Sequence, residues 1–328
     1  MSQKVIVIVG ATGNQGSGVV EALVSESTQF KIRAITTNAQ SARAKILLDR
    51  YSEATKQGRF ELVEANLNDK ASLEKALDGS YGLFASFGPG ATPKSGEEGE
   101  EVRQGKNLVD AAKVAGVQHF VYSSLGSVKE QSQGKLSGIH HHESKVAVER
   151  CAKDHLPSVA TILPAAFFSN LAGKGWSRRK DDGTAVLCAP FSSSVRLAWT
   201  DDQKDVGTFA RAIFEKGPDA MKGKSFVCAS PPSSIQEVAN DYEKLTGEKV
   251  LVEPLSVKEG ASRTAQEMGI DESVAKELED VFGWYNQIFE TLPRNALDEV
   301  NNGIHEELGV RASTFEQFLE RSGWRVKE

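Results

Sequence analysis

The apolar run Val5-Ile6-Val7-Ile8-Val9 passes directly into Gly10-Ala11-Thr12-Gly13-Asn14-Gln15-Gly16, and no other stretch constrains the fold of this chain as strongly. An unbroken β-branched run suits a strand buried on both faces, as the parallel strands of α/β proteins are. A helix starting at once behind it presents free backbone N–H groups at the strand's end, where its dipole is positive and a phosphate is well received. In this reading Gly10 makes the sharp turn out of the strand and Gly13 lets the backbone approach a pyrophosphate. Gly16 lets the helix sit close to the sheet. Glycine spacing alone is a weak signal, and a glycine-rich turn without a ligand is the competing reading. Here the motif follows a strand, opens an amphipathic helix carrying Val20, Leu23 and Val24, and heads an alternating α/β pattern.

Strand-like stretches at Lys4–Val9, Lys31–Thr36, Phe60–Glu64, Tyr81–Ser86, His119–Ser123 and Val159–Leu163 alternate with helical ones. The alternation predicts an α/β protein built on a Rossmann-type, doubly wound parallel sheet with helices on both faces. A helix from about Val102 to Ala115 carries Leu108, Val109, Ala112 and Ala115 at helical period and stops at Gly116. The stretch before it, Gly88 to Glu101, reads as a mobile acidic loop whose carboxylates suit the following helix N-terminus. After Pro164 the rhythm loosens, which predicts a smaller α+β C-terminal domain. Short strands are expected at Phe226–Cys228 and Val250–Val252. Capping boxes are expected at Ser234-x-x-Glu237 and Ser313-x-x-Glu316, the second opening a helix with Phe315, Phe318 and Leu319 that ends at Gly323. The expected division is residues 1–168 plus roughly 196–230 for the dinucleotide-binding domain, and 169–195 plus 231–328 for the smaller one.

With 328 residues the chain can bury a large core, and its net charge of −6 speaks against general nucleic-acid binding. The basic run Arg178-Arg179-Lys180 is cut off by Asp181-Asp182-Gly183, a turn signal, and reads as a solvated loop. Cys151, Cys188 and Cys228 are odd in number and far apart, as expected of reduced packing residues in a cytoplasmic protein. The N-terminal apolar run is too short for a signal peptide or anchor, and no segment approaches the ~20 apolar residues that span a bilayer. His140, His141 and His142 are consecutive, so on a helix their rings point about 100° apart. No Cys, Asp or Glu joins them at ligand spacing, and no metal site is expected.

An NAD-preferring site usually carries an acidic residue at the end of the second strand, bonded to the ribose hydroxyls. This chain has Thr36-Thr37-Asn38 there, with Arg43 and Lys45 a turn further on. Without a carboxylate to repel a 2′-phosphate, NADP(H) is the expected cofactor, with NAD(H) also possible.

Further stretches are Glu101-Val102-Arg103-Gln104-Gly105-Lys106, Phe120-Val121-Tyr122-Ser123-Ser124, His141-x-x-x-Lys145, Phe167-Phe168-Ser169-Asn170, Asp205-Val206-Gly207 and Thr314-Phe315-Glu316-Gln317-Phe318-Leu319. In this order, together with the glycine motif, they resemble the NmrA-like family of atypical short-chain dehydrogenases/reductases along nearly the whole chain. The resemblance implies a cleft between two domains over the nicotinamide. It implies that Gly10, Thr12, Gly13, Asn14, Gln15 and Gly16 hold the diphosphate, and that Thr36, Thr37, Asn38 and Arg43 stand on the adenosine ribose side. Phe87 and Gly88 would touch the middle of the dinucleotide, and Lys145, Phe167 and Asn170 the nicotinamide ribose. Two positions depart from the pattern: Asn66 stands where many relatives have an aspartate that touches adenine, and Thr37 where an arginine is common.

Short-chain dehydrogenases use Tyr-x-x-x-Lys, in which the lysine lowers the tyrosine pKa for proton transfer. Here the tyrosine position is His141, one helical turn before Lys145. An imidazole titrates near neutral pH and could donate the proton. Alternatively Lys145 acts alone, as in isoflavone-reductase-like relatives that Lys145-Val-Ala-Val-Glu149-Arg150 also resembles, or merely bonds the ribose. Ser123 matches the serine of working dehydrogenases. Two functions remain open. One is an NADPH-dependent reductase of a small carbonyl, enone, imine or quinone. The other is a non-catalytic NADP(H) sensor and transcriptional co-regulator that binds a regulatory protein and has a possible nuclear location.

Overall fold

The structure, a computed structural model, describes residues 3–25, 29–88, 99–173, 175–192, 194–269, 272–291 and 296–327. Its centre is a seven-stranded sheet. Six strands follow in chain order: β1 (Lys4–Val9), β2 (Phe30–Thr36), β3 (Phe60–Glu64), β4 (Gly82–Ala85), β5 (His119–Ser123) and β6 (Val159–Pro164). The seventh, Ser225–Cys228, pairs with β6, and the order across the sheet is β3-β2-β1-β4-β5-β6-seventh. Every pairing is parallel. The six early strands fall within one residue of their expected ends, because each is a short apolar run bounded by polar or glycine residues. Strand order reverses between β1 and β4, and in such sheets the crevice outside the strand ends at that point is where ligands bind.

Alternate strand residues build a core on each face. Ile6, Ile8, Ile32 and Ala34 pack with Val20, Leu23, Phe209 and Ile213 on one side. Val7, Val9, Leu83 and Ala85 pack with Leu108, Val109, Ala112 and Val148 on the other. A further core holds Phe168, Trp176, Trp199, Tyr242, Phe315 and Phe318. Phe168 lies nearly parallel to Trp199 with ring centres 5.6 Å apart. Beside it runs a small sheet in the order Val250–Pro254, Ala185–Ala189, Ser177–Arg179. Val128 and Ile139 belong to this core although they precede Pro164. The change of sequence rhythm gave no sign of that.

Three local expectations are corrected. Arg178 and Arg179 are not in a solvated loop but in the strand Ser177–Arg179, antiparallel to Ala185–Ala189. Glu253 pairs with Arg178 and Glu248 with Arg179, so the strand carries its charges at a half-buried edge. The turn itself is where Asp181-Asp182-Gly183 signalled it, with Gly183 at φ 83°. The last capping box is shifted by one residue: Thr314 and Gln317 form it. Ser313 instead donates its hydroxyl and its backbone N–H to the buried Asp205, at 2.6 and 2.9 Å. Finally, the helix after the acidic stretch starts earlier, at Glu100–Val114, and the expected loop falls largely on residues 89–98, outside those described.

The helix Asn14–Ser25 crosses the helix Lys204–Lys216 with their backbones almost touching. A Cβ on Gly18 would stand 1.8 Å from the Gln203 carbonyl oxygen, and one on Gly207 would stand 2.3 Å from that of Gly18. Asp205-Val206-Gly207 thus contains a packing glycine. Gly18→Ala should lower stability by about 1–3 kcal/mol despite its better helix propensity. Gly303→Ala, in an exposed helix interior with no atom within 4 Å of the added carbon, should raise stability by up to about 1 kcal/mol. Urea unfolding of the two variants checks the opposite signs.

Candidate functional site

At the reversal point a cleft of about 690 Å³ opens across the C-terminal ends of the central strands. Gly10 leaves β1 at φ 78°, and a Cβ there would lie 2.0 Å from the Ser86 carbonyl oxygen. A Cβ on Gly16 would lie 2.1 Å from the Gly10 carbonyl oxygen. The neighbour that demands a glycine at position 16 is therefore the loop's own backbone rather than the sheet. The loop is closed by the Gly13 N–H donating to Gly10 at 2.9 Å, and it leaves the first turn of the helix Asn14–Ser25 at the edge of the cleft.

Of the sequence-derived site residues, Gly10, Thr12, Gly13, Asn14, Gln15, Thr36, Thr37, Arg43, Phe87, Gly88, Ser123, His141, Lys145, Phe167 and Asn170 all line this one cleft. Gly16, Asn38 and Asn66 do not. Gly16 lies behind the loop. Asn38 and Asn66 spend their side-chain oxygens on local turns, accepting from the backbone of Gln40 at 2.8 Å and Asn68 at 2.9 Å. The carboxylate missing from the end of β2 has a counterpart on β3, because Glu64 accepts the Ala39 N–H at 2.6 Å.

Several cleft side chains are tied to one another, or to Asp202 and Glu101, which the sequence did not connect to the site. Ser123 donates to Gln15 Oε1 at 2.6 Å, fastening the end of β5 to the glycine loop. Asn14 donates to Asp202 at 2.8 Å, and burial pushes the Asp202 carboxyl above its ordinary range against that bond. Lys145 donates to Glu101 at 2.6 Å and to the Phe87 carbonyl at 3.0 Å. Glu101 is only 2% exposed and also accepts from Ser144. It is therefore an internal ion-pair partner rather than a solvated helix-dipole charge. Its place in the quoted motif was the available signal.

His141 and Lys145 share the helix His140–His155. Glu277, on the helix Glu272–Thr291, accepts the His141 backbone N–H at 2.9 Å and also bonds the ring at Nδ1. The adjacent His142 is buried, its ring 4.7 Å from that of His141. Its Nδ1–H donates to the Gly126 carbonyl at 2.7 Å, so its Nε2 is the acceptor for the Tyr285 hydroxyl at 3.3 Å. Burial, with the charge of His141 adding to it, drives the His142 pKa down to about 4. Among the described residues no three His, Cys, Asp or Glu side chains converge as metal ligands. Among them, too, no helix is long and apolar enough to cross a membrane.

The parallel sheet, its strand order and a cleft at the reversal point place the molecule in the Rossmann class of α/β proteins. The chain matches the NmrA-like family over residues 2–319 and belongs to that family. It is 28% identical over 265 residues to the NmrA-like family domain-containing oxidoreductase malD of Malbranchea aurantiaca, covering 75% of this chain and 74% of that one. Among solved structures, NmrA, a negative transcriptional regulator in complex with NAD, aligns with a TM-score of 0.70 at 21% identity, over 99% of this chain and 93% of that one. The NADPH-dependent quinone oxidoreductase QOR2 of Escherichia coli, complexed with NADPH, aligns with a TM-score of 0.67 at 21% identity, over 97% and 100%. At such identities the solved structures establish likeness of fold.

A histidine whose pKa falls on folding contributes stability that is complete above its unfolded value, near 6.5, and is lost as pH falls towards 4. For His142 the full effect is on the order of 3 kcal/mol. Urea unfolding between pH 7 and 4 should therefore show a shallower loss of stability in His142→Asn than in the parent protein.

Proposed function

We propose that the protein is an NADPH-dependent oxidoreductase that reduces a small carbonyl, enone, imine or quinone in this cleft. The observation that carries the reading is the convergence of one continuous set of residues. The glycine loop and helix N-terminus suit a diphosphate, Thr36, Thr37 and Arg43 suit a ribose phosphate, and His141 and Lys145 stand in the same lining. The open space at Gly13 fits such a cofactor: it lines the cleft, and an added Cβ there would meet only the Gly10 oxygen, at 3.3 Å, so the loop carries no side chain where a pyrophosphate would lie. A bound dinucleotide would supply hydride. The chain's part is to hold it through the loop, to orient its nicotinamide end beside Lys145, Phe167 and Asn170, and to move a proton at His141 or Lys145. In this reading residues 1–168 with roughly 196–230 bind the dinucleotide and the remainder shapes the substrate end. The oxidoreductase names of the curated relatives support it.

A second reading is an NADP(H)-responsive regulator that acts through a partner protein. Histidine in the tyrosine position favours it, because the proton donor of working dehydrogenases is absent. A cytoplasmic location goes with the first reading, and a nuclear one is open to the second.

Calorimetry with NADP(H) and NAD(H) should show binding with NADP(H) favoured. Gly13→Val should abolish binding while leaving the fold intact, since only the Gly10 oxygen, at 3.3 Å, lies near the added carbon. Thr37→Asp should move preference towards NAD by about 1–2 kcal/mol, roughly tenfold or somewhat more. Insensitivity of the parent protein to both dinucleotides would remove the reading altogether.

Turnover is tested by NADPH oxidation against a panel of carbonyls, enones, imines and quinones. Lys145→Ala should lower kcat by about 10²–10⁴-fold if it belongs to the proton path. Loss of a ribose hydrogen bond alone would cost binding by only ~1–3 kcal/mol. No oxidation anywhere in the panel, with NADP(H) changing affinity for a partner protein, would select the regulatory reading.

A further inference from the structure

Each member of the His141/Lys145 pair is held by a buried glutamate from another element. Glu101 occupies Lys145, whose Nζ is further committed to the Phe87 carbonyl. His141 is different. Its Nδ1 faces Glu277, yet among the described residues its Nε2 has no hydrogen-bond partner, and the residue lines the cleft together with Ser123, Lys145, Phe167 and Asn170.

We propose that Glu277 is a positioning residue for His141, fixing the imidazole with Nδ1 protonated so that Nε2 delivers a proton to a substrate oxygen in the cleft. The proposal rests on the reductase reading and narrows it to acceptors that develop negative charge on oxygen: carbonyls, enones and quinones. An iminium carbon, already cationic, becomes a neutral amine on accepting hydride and needs no such donor.

The geometry carries the assignment. One carboxylate oxygen of Glu277 accepts from both the backbone and the ring of the same residue, and two bonds of this kind lock the side chain in one orientation. Glu277 is 7% exposed, and among the described residues His141 is its only hydrogen-bond partner. Burial works against its charge, but the bonds from the His141 ring and backbone outweigh it and hold the carboxyl below its ordinary range. A carboxylate can only accept, so Nδ1 must carry the proton. An anion behind an imidazole fixes the tautomer and stabilises the imidazolium, which leaves Nε2–H as the donor on the far side. If docking the helix were the whole purpose, an apolar residue would serve as well, without the cost of desolvating a charge. The Tyr285 bond to His142 already ties the same two helices together.

The proton balance is simple. With the reduced dinucleotide as hydride donor, the carbonyl π pair moves to oxygen, which takes the proton from Nε2. The N–H bond pair stays on Nε2, leaving a neutral imidazole still protonated at Nδ1, and water returns the proton.

The first test uses the full chain without dinucleotide, labelled with ¹⁵N-histidine, with His141→Gln to assign the resonances. In the parent protein Nε2 should be the only His141 nitrogen ever found unprotonated. In Glu277→Ala the neutral ring should revert to the Nε2–H tautomer that imidazole prefers in water. Nδ1 found unprotonated in the parent, or a tautomer indifferent to Glu277→Ala, overturns the proposal. The second test is kinetic and uses Glu277→Gln, which keeps the size and the acceptor oxygen, so it stands even if Glu277→Ala does not fold. The kcat for a ketone or quinone should fall by about 10–100-fold with KM for NADPH and Tm unchanged. An unchanged kcat overturns it. A parent protein that oxidises no NADPH overturns the reductase reading and the proton delivery with it, while the nitrogen assignment still decides whether Glu277 positions the ring.

Discussion

The arrangement depends on backbone meeting backbone at the end of β1. Gly10 passes under the Ser86 carbonyl, Gly16 folds onto the Gly10 carbonyl, and two residues later Gly18 meets Gln203. None of these contacts leaves room for a Cβ. Together they fix the helix Asn14–Ser25 against β1, against the end of β4 and against the helix Lys204–Lys216. Its N-terminus is thereby aimed into the crevice where strand order reverses. Everything said of the cleft follows from that placement.

Among the described residues, the buried carboxylates around the cleft are hydrogen-bonded, three of them to a basic side chain. Glu101, Asp201, Asp202, Asp205 and Glu277 are each 7% exposed or less, and removing such groups from water costs several kcal/mol unless partners replace it. Each finds its partner on a distant element: Lys145 for Glu101, Arg321 for Asp201, Asn14 for Asp202, Ser313 for Asp205 and His141 for Glu277. These links join the sheet, the helix after β5 and the C-terminal helices around one space. They set the orientation of polar side chains there more firmly than packing alone would.

Legibility in the sequence varied with the range of the interaction that decided each feature. β1 to β6 were readable to within a residue, as was the Ser234 capping box, because apolar period and cap chemistry are local. The Ser313 assignment missed by one residue because two hydroxyls stand side by side and the buried Asp205 claims the first. Arg178 and Arg179 looked like loop residues because their partners, Glu253 and Glu248, lie about seventy positions away. Glu101 was read as a helix-dipole charge for the same reason.

Strand period and glycine placement are properties of contiguous chain, and they were enough for the Rossmann-type architecture and the glycine turn, while the family resemblance supplied most of the other cleft-lining residues and missed Asp202. Tertiary structure alone decided which of those residues hold one another. His141 and Glu277 are 136 positions apart, and nothing in either neighbourhood marks them as partners. A buried carboxylate takes whatever donor the fold brings to it, and that becomes visible only when the helix Glu272–Thr291 packs beside the helix His140–His155.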